Sequence, residues 1–171
     1  MHEEFVPVPD PPLNPLFETA QSALDKSCYL TIDWRIHETS SVKEAVKRMA
    51  GHNIGALAVT DDSGKVVGVL SERDYLKKVA LLGRSSDSTT VKEICTYGDN
   101  LISVSRGNPI DMCMDKMLRS DVRHLLVRNA KDDPSIVGMI SIKDIVKCNQ
   151  AKSQAMVNRL EEIVQYQTLG V

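Results

Sequence analysis

No excess of charge of either sign marks this chain of 171 residues: 21 lysines and arginines stand against 23 aspartates and glutamates, for a formal net charge of −2. No overall electrostatic pull towards nucleic acid or an anionic membrane follows from such a balance. Apolar runs are only a few residues long, so no segment is expected to cross a bilayer. The opening MHEEFVPVPDPPLNP starts with acid and proline. It has neither the basic start and apolar stretch of a secretory signal nor the arginines of a mitochondrial presequence. A presequence removed ahead of this numbering is compatible with it. The four cysteines, Cys28, Cys95, Cys113 and Cys148, are scattered, with no CxxC and no Cys/His pair at metal spacing. Buried, reduced thiols in a reducing compartment are the expectation. The histidines (His2, His37, His52, His124) lack ligand spacing, and neither a Gly-x-Ser-x-Gly elbow nor a Walker loop occurs. Neither a catalytic constellation nor a metal site is expected.

What the chain does have is an internal duplication, the first thing to seek in such a sequence. At an offset of 68, Val42 meets Ile110, Ala45, Val46 and Met49 meet Cys113, Met114 and Met117, and Leu57 and Val59 meet Leu125 and Val127. With two more residues in the second turn, Gly68, Ser71 and Asp74 meet Gly138, Ser141 and Asp144. In the lead-ins, Trp34 and Ile36 meet Ile102 and Val104.

Each copy, 40–79 and 108–149, reads as helix, strand, turn, strand, helix. Ser41 and Glu44 have the spacing of a capping box, and Val42, Ala45, Val46 and Met49 follow as the stripe of an amphipathic helix. Residues 56–60 and 66–70 read as strands around the turn Asp61-Asp62-Ser63-Gly64. In the second copy Pro109 suits the first helical position, residues 124–128 and 136–140 are the strands, and 143–148 the last helix. Neither copy is large enough for a stable core alone, so the two are expected to pack on each other. Residues 1–15, with five of the seven prolines, suggest an extended arm, and 14–27 a short helix burying Leu16, Phe17, Ala20 and Leu24. A polar, flexible linker is expected at 83–90, a helical turn at 91–95, and a separate C-terminal helix at 151–167. The domain boundaries that result are 1–27, 28–82, 83–90, 91–150 and 151–171.

The repeated motif is Gly-x-x-Ser-x-x-Asp, Gly68 to Asp74 and Gly138 to Asp144, where a strand hands over to a helix. The serine lies at the positive helix end, where phosphate is bound well. An aspartate one turn on can accept two hydrogen bonds from a ribose diol, and Arg73 or Lys143 can offset phosphate charge. Taken once, Ser-x-x-Asp is an ordinary capping box. Its repetition with the glycine inside a duplicated unit favours binding, and the two roles are compatible.

These residues resemble a pair of cystathionine-β-synthase-type (CBS) domains, the Bateman module. The resemblance covers roughly residues 28–149 and rests on NIGALAV at 53–59, GVLSERD at 68–74, VRHLLV at 122–127 and GMISIKD at 138–144. NRLEEIVQY at 158–166 is similar to a tail of stand-alone bacterial and plant organellar CBS-pair proteins. The resemblance implies an α+β fold: two βαββα units with small mixed sheets packed about a pseudo-twofold axis, with helical extensions at both ends. It implies two clefts for an adenosine ligand (AMP, ADP, ATP, NAD or S-adenosylmethionine). One cleft would use Ser71, Arg73 and Asp74 with Leu101, Ile102, Val122, Arg123 and His124. The other would use Ser141, Lys143 and Asp144 with Trp34, Ile54 and Gly55. Because Arg123-His124 aligns with Gly55-Ala56, the Asp74 cleft is expected to hold a phosphate chain better.

The function so implied is that of a regulatory, non-enzymatic sensor. It would act as a homodimer on a protein partner, a thioredoxin-type protein or a large complex, in the cytoplasm or the mitochondrial matrix. The competing reading is a structural or adaptor subunit of a larger assembly with degenerate or permanently filled clefts. Titration with AMP, ATP and NAD separates them.

Overall fold

The computed structural model describes residues 18–130, 133 and 135–168, so the proline arm and the expected burial of Leu16 and Phe17 lie outside the described residues. The chain opens with helix α1 (Ala20–Asp25) and a short 3-10 turn at Cys28–Leu30. The first repeat follows as β1 (Arg35–His37), α2 (Val42–His52), β2 (Ala56–Thr60), β3 (Val66–Ser71) and α3 (Glu72–Tyr75). From α3 the chain runs into a π-turn at Leu76–Ala80. Strand β4 (Thr96–Tyr97) leads to the second repeat: β5 (Ser103–Ser105), α4 (Ile110–Arg119), β6 (His124–Arg128), β7 (Ile136–Ser141) and α5 (Ile142–Thr168).

The strands expected from β-branched runs form as read, and the repeat carries through to their register. β1 pairs parallel with β2, and β2 antiparallel with β3; β5 pairs parallel with β6, and β6 antiparallel with β7. Both hairpins carry a register shift at equivalent points, Val59/Thr60 and Val127/Arg128. The buried residues of α2, Val42, Ala45 and Met49, and of α4, Ile110, Cys113 and Met117, are the apolar stripe seen in the sequence. Taking the Val, Ile or Met side chains of these stripes out of water stabilises by about 1.5–3 kcal/mol each.

What the sequence did not reveal is that the lead-in segments are exchanged. Strand β4, which precedes the second repeat, completes the first sheet by pairing with β3, and Val91 and Ile94 are buried in the first core. Conversely Ala20, Ala23 and Leu24 of α1 are buried in the second core with Ile110, Leu125 and Ile140. The first core also takes in Leu126 and Met139 from the second sheet. Each repeat is thus completed by the segment that precedes the other.

The motif glycines have a physical reason in this exchange. A Cβ on Gly68 would meet the Thr96 carbonyl oxygen at 2.9 Å and Cys95 Sγ at 3.2 Å; one on Gly138 would meet Leu24 Cδ1 at 2.6 Å. Both distances are below ordinary van der Waals contact, so a side chain at either position would push the exchanged segment away.

Several local expectations are corrected. The Ser41 hydroxyl accepts from Glu44 N–H, but Glu44 turns to Arg48 instead of closing a reciprocal box. Pro109 is the N-cap of α4, and Ile110 its first helical residue. The stretch 83–90 is pinned down: the carbonyls of Ser86 and Thr89 accept from the N–H groups of Lys43 and Val42, satisfying two free donors at the start of α2. The two expected C-terminal helices are one continuous 27-residue helix, because nothing between 148 and 151 breaks it. No helix among the described residues is long and apolar enough to cross a membrane.

Candidate functional site

Two clefts open between the repeats, one at each strand-to-helix handover. The first is a cavity of about 190 Å3 lined by Ser71, Arg73, Asp74, Leu101, Ile102, Val122, Arg123 and His124, joined by Ala56, Val69, Thr96, Asn100 and Asp121. The second, of about 290 Å3, is lined by Ile54, Gly55, Ser141, Lys143 and Asp144, joined by Cys28, Tyr29, Asn53, Glu72 and Lys147 among others. Thus β3 and α3 deliver one Ser/Asp pair, β7 and α5 the other, and the facing wall of each cleft comes from the opposite repeat. Trp34 is the exception. It is half-buried against the first core with the Arg35 guanidinium 5.6 Å from its ring, and does not line the second cleft. Its place there is taken by the exchanged segment at Cys28-Tyr29.

In both copies the serine and aspartate close a cap on the helix. Ser71 N–H and Oγ–H donate to Asp74 Oδ2 at 3.0 and 2.7 Å, and Ser141 N–H and Oγ–H donate to Asp144 Oδ2 at 2.8 Å each. A lysine then ties each carboxylate to the exchanged segment. Lys78 Nζ reaches Asp74 Oδ1 at 2.8 Å and the Ile94 carbonyl at 2.5 Å. Lys147 Nζ lies 3.6 Å from Asp144 Oδ1 and donates to the Lys26 carbonyl at 3.0 Å. Lys26 and Ile94 are equivalent at the offset of 68. The lysines sit at i+4 and i+3 from their aspartates, and this one-residue difference falls where the first copy enters its π-turn.

The symmetry breaks at the carboxylates. Asp144 takes a further hydrogen bond from Ser27 Oγ at 2.9 Å, and its side chain is 2% exposed. The residue equivalent to Ser27 is Cys95, and the Asp74 side chain stays 16% exposed. A carboxylate offers about four lone-pair positions. On Asp74 three are engaged by Ser71 and Lys78; on Asp144 three from Ser141 and Ser27 fall on Oδ2, with Lys147 3.6 Å from Oδ1, so the two carboxylates differ in exposure rather than in acceptor capacity.

Among the cations, Arg73 donates to Asp121 Oδ2 at 2.7 Å and to the Asp121 carbonyl at 2.9 Å, so it spans from one repeat to the other. Arg123 lies 4.0 Å from Glu72 and lines both clefts. His124 also lines both. Burial, and then the Arg123 charge, push its pKa down to about 4, with Asp144 acting in the opposite sense. It is therefore neutral near pH 7 and offers a hydrogen bond rather than a charge. The expected basis for ranking the clefts is thereby removed, since Arg123-His124 lines both. The Tyr29 ring stands edge-on to His124, its hydroxyl donates to the Ala56 carbonyl at 3.2 Å, and burial holds its pKa above the usual tyrosine value.

The cysteines are all free thiols. Cys113 and Cys148 are buried, Cys95 is half-buried and Cys28 is exposed, so burial holds for two of the four. Desolvation raises the Cys95 and Cys113 pKa values to about 11, which leaves them inert thiols. No cluster among the described residues could hold a metal ion. Of the residues that sequence reasoning missed, Ser27, Cys28 and Thr96 were reachable, since carrying the offset of 68 back through the lead-ins pairs Ser27 with Cys95 and Cys28 with Thr96; Lys147 was not, because its counterpart Lys78 is shifted by one residue.

A family model described as CBS domain matches residues 34–81 and 91–150. The CBS domain-containing protein CBSX3, mitochondrial, of Arabidopsis thaliana is 35% identical over 127 residues, 73% of this chain and 60% of that protein, so the chain spans about three fifths of that relative. A putative signal-transduction protein with CBS domains from Burkholderia ambifaria is 38% identical, with a TM-score of 0.61 over 68% of this chain and 81% of that one. A CBS domain protein from Pyrobaculum aerophilum, solved in complex with AMP, is 26% identical, with a TM-score of 0.62 over 74% and 89%.

Proposed function

Since the chain belongs to the CBS-domain family, as a tandem pair, we propose that it is a non-enzymatic regulatory module that binds one adenosine nucleotide per chain, in the Asp74 cleft. The observation that carries this reading is the contrast between the two aspartates. The Asp74 side chain is 16% exposed where it lines its cleft, whereas that of Asp144, bonded by Ser27, is 2% exposed. In the nucleotide complex the Asp74 carboxylate accepts the ribose hydroxyls at the open position of Oδ1 and at the one that Lys78 yields, and Leu101, Ile102 and Val122 flank the base. The start of α3 and Arg73 face the phosphate. Asp144 is then a structural cap that fastens α1 and its following turn to the second repeat.

Adenosine compounds as a class are supported by the AMP complex of the Pyrobaculum relative. AMP, ADP, ATP and NAD all present the required ribose. A ligand held by residues of both repeats shifts their relative angle only to the extent that it binds the two arrangements unequally. The shift would be read by a protein partner, in the mitochondrial matrix if the chain shares the address in the plant relative's name. The second reading, a structural or adaptor subunit, is favoured by one feature: the stretch of α5 beyond residue 155 exposes Met156, Val157, Leu160 and Ile163.

Calorimetric titration of the full chain with AMP, ADP, ATP and NAD tests the proposal. Binding of at least one at a single site, abolished by Asp74→Ala, is expected. No binding by any of them up to millimolar concentration refutes the sensor and leaves the adaptor.

A further inference from the structure

The Asp74 cleft, at about 190 Å3, is smaller than the roughly 300–1,000 Å3 of ordinary small-molecule sites. A ligand of nucleotide size therefore extends beyond it, to the charged groups around it. Three cations stand near. Lys78 is held by Asp74 and a backbone carbonyl, and Arg123 is shared with the other cleft. Arg73 is hydrogen-bonded across the cleft, from α3 of the first repeat to Asp121 in the turn after α4 of the second, whereas Arg123 reaches Glu72 of α3 only at 4.0 Å.

We propose that the Arg73–Asp121 pair is a latch that a phosphate-bearing ligand releases and an unphosphorylated nucleoside does not, which makes Asp121 a determinant of ligand charge selectivity. The proposal rests on the reading of the Asp74 cleft as a nucleotide site. Arg73 directly precedes Asp74, so a phosphate on the same ribose comes within reach of its guanidinium. A phosphate can take the guanidinium fork bidentately, whereas Asp121 holds it through Nη1 alone. Losing Arg73 leaves Asp121 little disfavoured, because its side chain is 89% exposed and water replaces the contact. A surface pair of this kind is weak enough for one ligand group to displace. Release also removes a direct tie between the two repeats, so ligand charge becomes a change in how they are held.

Asp121 sits at φ 49°, in the left-handed region. Asn and Gly both tolerate that conformation, so Asp121→Asn or Asp121→Gly removes the charge and leaves the turn intact. Titration of the wild-type full chain with AMP and with adenosine, then of Asp121→Asn, tests the latch. Asp121→Asn should tighten AMP about two- to five-fold, the size expected for an exposed ion pair, and leave adenosine unchanged. The double variant with Arg73→Gln should lose the gain. Equal changes for both ligands, or an unchanged AMP affinity in a wild type that binds AMP, overturn the latch alone. Binding of neither ligand by the wild type overturns the nucleotide reading and the latch with it. Asp121→Gly carries the same comparison if the asparagine variant does not fold.

Discussion

Removing one hydroxyl, in Ser27→Ala, tests whether Asp144 is a structural cap. Ser27 Oγ donates to Asp144 Oδ2 at 2.9 Å and accepts from Tyr29 N–H at 3.3 Å, and both Ser27 and Asp144 are buried. A hydrogen bond to a buried charged group is worth about 1.5–3 kcal/mol. Asp144 keeps its two bonds from Ser141, so the lower part of that range applies, about 1.5–2 kcal/mol. For a chain of this size that corresponds to a fall of about 3–8 °C in Tm. Urea unfolding at pH 7 measures it. Ser63→Ala is the control, since the Ser63 hydroxyl makes the same type of bond to Asp61 at 2.6 Å on an exposed turn. The control should leave the midpoint unchanged, and AMP affinity should be the same in Ser27→Ala and the wild type. A Ser27→Ala midpoint no lower than that of Ser63→Ala would refute the reasoning.

Three further outcomes follow from the same geometry. Gly68→Ala places a methyl group 2.9 Å from the Thr96 carbonyl. It should cost about 1–3 kcal/mol by overpacking and weaken nucleotide binding by displacing β4, both read by denaturation and calorimetry. Gly138→Ala meets Leu24 Cδ1, so it should destabilise while sparing the affinity of the Asp74 cleft. The His124 pKa, depressed to about 4, sets a pH window. Between the unfolded value of about 6.5 and 4, the unfolded chain takes up a proton that the folded chain refuses, so stability falls as pH falls and levels off below 4. Urea midpoints from pH 7.5 to 4 should fall less steeply for His124→Gln than for the wild type; equal slopes would contradict the burial argument.

Much of this was legible in the sequence because periodicity and punctuation report local structure. The stripe Val42-Ala45-Met49 and the strands Ala56–Thr60 and His124–Arg128 needed no tertiary information. The two clefts were expected from the resemblance to CBS pairs that the repeated Ser-x-x-Asp helps to carry. The exchange of lead-ins was not legible, since pairing of β4 with β3 depends on which surface Gly68 leaves open, a matter of three-dimensional approach. The placing of Trp34 failed for the same reason: repeat alignment put it opposite Ile102, but Cys28 and Tyr29 line the second cleft and Trp34 packs against the first core. The ranking of the clefts rested on the charge of Arg123-His124. Packing gave it a different basis, because one neutral histidine serves both clefts and one serine covers the second aspartate.

The central claim is that of two aspartates related by duplication only one faces a ligand. A crystal structure of the full chain grown with excess AMP tests this most directly. The account predicts one nucleotide per chain, its ribose hydroxyls on Asp74, with the Ser27–Asp144 hydrogen bond intact in the other cleft. AMP seated on Asp144, or two equally occupied sites, would contradict it.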